Sequence, residues 1–95
     1  MTLSTHVLDT ERGLPAAGIR VELFNADGDL AGDGVTDADG RIKELAETAA
    51  GTYRIVFHPS SPFFTRVELE VVLDEGHYHV PLLISSYACA SYRGS

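Results

Sequence analysis

Apolar and polar residues alternate with a period of two along most of this chain. Ile19, Val21 and Leu23 alternate with Arg20 and Glu22. Tyr53, Ile55 and Phe57 alternate with Thr52, Arg54 and Val56, and Val67, Leu69, Val71 and Leu73 with Arg66, Glu68 and Glu70. Successive side chains of a strand point to opposite faces, so each run predicts a half-buried antiparallel strand. Turn signals separate the runs: Gly13 to Pro15, Ala26 to Asp29, Asp37 to Gly40, Pro59 to Pro62 and Asp74 to Gly76. About seven or eight short strands at this spacing predict an all-β, Greek-key sandwich. The segment from Lys43 to Ala50 is the only helix candidate. It is too short to be stable alone and Gly51 ends it, so it reads as a loop with at most a turn of helix.

The stretch from His77 to Ile84 reads as one strand with two different faces. Tyr78, Val80, Leu82 and Ile84 form an apolar face; His77, His79, Pro81 and Leu83 form the other. Pro81 has no amide hydrogen to give a sheet ladder, so this stretch belongs at a sheet edge or a bulge. An edge strand with an apolar face invites cover by another subunit.

With 95 residues the chain reads as one domain, residues 1–95, with a modest core that an oligomeric interface would help. The net charge of −7 argues against nucleic acid and against an anionic membrane surface. It leaves room for a local basic pocket. The single cysteine, Cys89, excludes an internal disulfide and reads as a small, buried or partly buried thiol. No stretch reaches transmembrane length and Met1 to His6 has no signal-peptide character, so the expectation is a cytoplasmic, soluble protein.

The candidate chemistry sits at the ends. His6 lies on a short predicted strand, Leu3 to Leu8; Arg41 follows the Asp37 to Gly40 turn; His79 lies on the His77 strand. The last residues, Tyr92, Arg93, Gly94 and Ser95, bring a phenol, a guanidinium, bare backbone, and a hydroxyl with a carboxylate. Nothing local joins these groups. His77 and His79, two apart on one strand face, have a spacing that can chelate a metal, but no cysteine or acidic cluster completes a set.

Three motifs, in order, carry a family resemblance: STHVLDT at residues 4–10, TDADGR at 36–41, and the closing pair HYHVPLL at 77–83 and YRGS at 92–95. Together they resemble the 5-hydroxyisourate hydrolases, transthyretin-related enzymes of urate breakdown. The resemblance covers nearly the whole chain. It implies a transthyretin-like sandwich, a homotetramer with sites at the dimer–dimer interface, and no cofactor or metal. It also implies that His6, Arg41, His79 and Ser95 are catalytic, and that they bind the substrate with Tyr92, Arg93 and Gly94. The residue types suit ring opening by water. An imidazole can take a proton near neutral pH, and Arg41 can hold an anionic substrate through its planar fork. Which histidine takes the proton stays open. Tyr92 reads equally as a packing residue, and Arg93 as a surface charge; Gly94 reads as a point of close approach. His58 reads as a surface residue and His77 as a neighbour of the site.

Two stretches depart from the family pattern. Phe57 to Phe64 leaves no room for a short helix found there in the family, and Ser85 to Ser91 lacks the usual Pro and Gly of the turn before YRGS. Other readings of the sandwich are a non-catalytic carrier of a small aromatic ligand and a structural module. The histidine set and YRGS favour the enzyme.

Overall fold

The computed structural model describes residues 1–95 and is built from ten strands with no helix. They are β1 (Thr2–Asp9), β2 (Leu14–Pro15), β3 (Arg20–Asn25), β4 (Leu30–Val35), β5 (Arg41–Glu47), β6 (Gly51–His58), β7 (Val67–Leu73), β8 (His77–His79), β9 (Leu82–Ile84) and β10 (Cys89–Ser91). One sheet runs β4-β3-β6-β7, all antiparallel. The other is organised around β1, which pairs antiparallel with β5 and β2 and parallel with β8 and β9; β10 pairs with β9.

The core lies between the two sheets. Leu3, Val7, Val80, Leu82 and Ile84 face Val21, Leu23, Ile55, Phe57 and Leu73, all buried. Burying such side chains is the main force holding the two sheets together. The period-two runs bury the faces the sequence predicts: on β7, Val67 and Leu73 are buried while Glu68, Glu70 and Val72 face out.

Three expectations are corrected. The segment from Lys43 is neither loop nor helix: β5 continues to Glu47 and buries Leu45 and Ala46. Its alternation is hidden by a bulge. Leu3 pairs with Ala46 and Thr5 with Ile42, so Ser4 stands opposite Lys43, Glu44 and Leu45. Sheet pairing overrides the weak local preference for helix.

The His77 to Ile84 strand is broken in two at Val80-Pro81, and both halves run parallel to β1. At the break the Thr5 hydroxyl donates to the Val80 carbonyl at 2.6 Å, so that carbonyl keeps a partner in the core. Pro81 thus marks an interruption of the ladder.

Cys89 is exposed on β10. This strand lies at the rim of the β1 sheet, paired only with β9, and its first two residues, Cys89 and Ala90, are exposed.

Candidate active site

One face of three adjacent strands carries the polar groups. Thr2, Ser4 and His6 alternate along β1, and Arg41 and Lys43 along β5. His77 and His79 alternate along β8. The register aligns them: His6 pairs with Arg41, Thr2 with His77 and Ser4 with His79. The opposite face of the same strands is core, where Leu3 and Val7 are buried. A single alternation therefore places core on one side and chemistry on the other.

The Asp37 to Gly40 turn sets both His6 and Arg41. Asp37 Oδ1 accepts from the amides of Asp39 (2.9 Å) and Arg41 (3.0 Å). These bonds to its charged form hold the Asp37 carboxyl below the usual carboxylate range, the Arg41 amide contributing most. Gly40 has φ +75°, and a Cβ there would meet the Val7 carbonyl oxygen. That close approach lets the Gly40 carbonyl accept from the Val7 amide at 2.8 Å and docks the turn on β1. His6 Nε2 lies 2.8 Å from the Asp39 carbonyl oxygen. A carbonyl can only accept, so Nε2 carries the hydrogen. The Arg41 guanidinium makes no ion pair or hydrogen bond within the chain and stands free at the face.

His79 is half-buried, and its Nδ1 is 2.8 Å from the Ser4 hydroxyl. Ser4 Oγ is also 3.0 Å from His77 Nε2, and His77 Nδ1 is 2.7 Å from Thr2 Oγ1. His79 Nε2 has no hydrogen-bond partner in the chain. Burial pushes the His79 pKa below the ordinary imidazole value of 6.5, and the charges of Arg41, His6 and His77 push it the same way. The imidazole is therefore neutral at neutral pH. Ser4, Thr5, Arg41, Lys43, His77 and His79 line one hollow on this face. No group of three His, Cys, Asp or Glu residues converges with metal-ligand geometry, and each of the two β8 imidazoles spends one nitrogen on Ser4.

The terminal segment folds back over His79. The Gly94 amide donates to the His79 carbonyl at 2.6 Å. A Cβ on Gly94 would stand 2.7 Å from His79 Cδ2, so only glycine lets the chain lie this close to the ring. His77, His79, Arg93, Gly94 and Ser95 border a second hollow beside the first. The Arg93 guanidinium lies 4.1 Å from the centre of the Tyr78 ring, a cation–π contact. Tyr92 borders neither hollow. It lies exposed in a separate groove with Tyr78, Val80, Ser91 and the residues of β7.

The structure thus brings His6, Arg41, His79, Gly94 and Ser95 to one region, with Arg93 at its margin and Tyr92 outside it. Sequence reasoning missed Ser4 and Lys43 and set His77 aside. The signal for Ser4 was its position two residues before His6, on the same face of a predicted strand. His58 is no isolated surface residue: at the end of β6 its Nε2 donates to Glu22 Oε1 at 2.6 Å.

A two-sheet sandwich with this polar face defines a transthyretin-like protein bearing a histidine–arginine site. The sequence profile described as the HIUase/Transthyretin family matches residues 3–94, and the chain belongs to that family. It is 39% identical to the 5-hydroxyisourate hydrolase of Deinococcus radiodurans, over 98% of this chain and 95% of that protein. Among solved structures it is similar to the 5-hydroxyisourate hydrolase of Klebsiella pneumoniae, with a TM-score of 0.89 and 36% identity over 99% of this chain and 93% of the other. Sea bream transthyretin in complex with thyroxine gives a TM-score of 0.84 and 29% identity over 99% of this chain and 95% of that one.

Proposed function

We propose that the protein hydrolyses 5-hydroxyisourate in urate degradation, with His79 as the base that activates water. The observation that carries this reading is a half-buried imidazole, anchored through Nδ1 and with Nε2 unpartnered, that shares a hollow with the unpaired Arg41 guanidinium. The relatives named as hydrolases favour the enzyme over the carrier reading.

In this reading His79 Nε2 takes a proton from water as the oxygen adds to a ring carbonyl. The bond from that carbonyl to its ring nitrogen then breaks, leaving a carboxylic acid that releases its remaining proton to solvent and becomes a carboxylate. The nitrogen recovers the proton from the imidazolium, so His79 ends as it began. Arg41 holds the anionic substrate and the negative charge that develops on the carbonyl oxygen. His6 Nε2 is tied to Asp39, which suits a binding and electrostatic role more than proton transfer. Ser95 and Gly94 bound the far side of the ring, and Arg93 adds positive charge there. Tyr92 contributes through subunit packing around its groove rather than through substrate contact.

The face is open to solvent in the single chain, and β7 leaves an unpaired sheet edge with Val72 at 74% exposure. Both features support a homotetramer that closes the site between dimers. The 1–95 chain acts as one domain, without metal or cofactor. Its lone exposed thiol, Cys89, suits a reducing, cytoplasmic setting. Kinetics on 5-hydroxyisourate test the assignment: His79→Gln lowers kcat by roughly two to four decades. Wild-type turnover in that variant would remove His79 from the reaction.

A further inference from the structure

Ser4 is the junction of a hydrogen-bonded chain that the proposed reaction leaves unused. The chain runs Thr2 Oγ1, His77 Nδ1, His77 Nε2, Ser4 Oγ, His79 Nδ1, with separations of 2.7, 3.0 and 2.8 Å at its three hydrogen bonds. We propose that Ser4 and His77 are positioning residues that hold His79 in the Nδ1–H tautomer, so that Nε2 is the free base of the site. The proposal rests on the hydrolase reading for its catalytic consequence, and on the chain geometry alone for the tautomer.

The hydroxyl of Ser4 has one hydrogen and two imidazole nitrogens within reach. It must donate to one and accept from the other. With neutral rings, only two arrangements make all three bonds. In the outward one, His79 Nδ1–H donates to Ser4, Ser4 donates to His77 Nε2, and His77 Nδ1–H donates to Thr2. In the inward one every bond is reversed, and His79 carries its hydrogen on Nε2, where it cannot accept a proton from water.

Two features select the outward arrangement. The charged side chains lining the hollow beside His79 are Arg41 and Lys43 from β5, both cations. A cationic surrounding favours a lone pair over an N–H dipole on the nitrogen that faces it. His6 from β1 and His77 on β8 are the titratable neighbours; from the terminal segment Arg93 adds a third cation and Ser95 a carboxylate, so cations outnumber the one anion around the ring. In addition, Thr2 at the outer end is exposed, so its hydroxyl hydrogen has water to bond when Thr2 accepts from His77.

The outward arrangement also prepares the next step. When Nε2 takes a proton, the Nδ1–H bond to Ser4 is already in place and strengthens toward the imidazolium. No group has to turn. His77 acts through Ser4, the group its Nε2 reaches at 3.0 Å.

The test is a long-range ¹H–¹⁵N spectrum of the histidine rings, recorded above the His79 titration, beside steady-state kinetics. Wild-type His79 is expected to show a protonated Nδ1 and an unprotonated Nε2. Ser4→Ala is expected to release the ring to a mixture of tautomers and lower kcat by about 10–100-fold with little change in KM. Ser4→Thr, which keeps the hydroxyl, is expected to restore both. His77→Phe is expected to weaken the tautomer preference and to leave Arg41-dependent KM unchanged. A protonated Nε2 in the wild type, or a Ser4→Ala protein with wild-type tautomer and kcat, would overturn the proposal. The spectrum needs no substrate, so it decides the tautomer even if the protein fails to turn over 5-hydroxyisourate.

Discussion

Gly94→Ala is a one-methyl change whose effect can be worked from the geometry. The added Cβ would stand 2.7 Å from His79 Cδ2 and 3.2 Å from the His79 carbonyl oxygen. Carbon atoms settle at about 3.5–4.0 Å, so something must give by about 1 Å. If the terminal segment lifts, the 2.6 Å bond from Gly94 to His79 is lost, at about 1 kcal/mol. If the imidazole turns instead, an off-rotamer side chain costs about 0.5–1.5 kcal/mol and the Ser4 contact lengthens. The two costs are similar, so both movements contribute. Either one displaces a group of the site by a distance that typically costs about 10²-fold in rate. The loss of stability stays near 1 kcal/mol, because the segment lies at the rim and the core is untouched. The assay is kcat on 5-hydroxyisourate beside a thermal melt. A Gly94→Ala protein with wild-type kcat would refute the claim that this approach positions His79. A large drop in melting temperature would refute the separation of site from core.

Further outcomes follow from the same structure. The acid limb of kcat/KM falls below pH 6.5, because His79 stays neutral until the pH drops through its lowered pKa; Arg41→Gln removes one lowering charge and moves the limb upward. Stability has the same sign: below pH 6.5 the unfolded chain binds the His79 proton more readily than the folded one, so this contribution weakens as pH falls. A limb above pH 6.5 in the wild type would contradict both statements. Arg41→Lys keeps the charge and loses the planar fork, so kcat/KM falls by at least about tenfold; an unchanged value would make Arg41 a point charge. Phe57→Ala empties the largest fully buried site and costs about 3–5 kcal/mol, read as a lowered urea midpoint.

The sandwich was legible where one face of a strand is core and the other is water, as in β3, β6 and β7. It was obscured where other terms set the pattern. In β5 the bulge opposite Ser4 shifts the alternation, and Leu45 and Ala46 are adjacent buried residues. In β4, Gly32, Asp33 and Gly34 carry no apolar side chain for a periodic signal. Cys89 was misread because thiols are usually buried, while β10 lies at a rim. The site residues His6, Arg41 and His79 stood out through their motifs. Ser4 did not, since a serine has no distinctive spacing and its value comes from two imidazoles that only the parallel pairing of β1 and β8 brings to it.

The most direct measurement is the decay of 5-hydroxyisourate, generated from urate by urate oxidase and followed by absorbance with and without the protein. The account predicts fast, protein-dependent loss that His79→Gln abolishes. Decay at the spontaneous rate in the presence of the wild-type protein would contradict it.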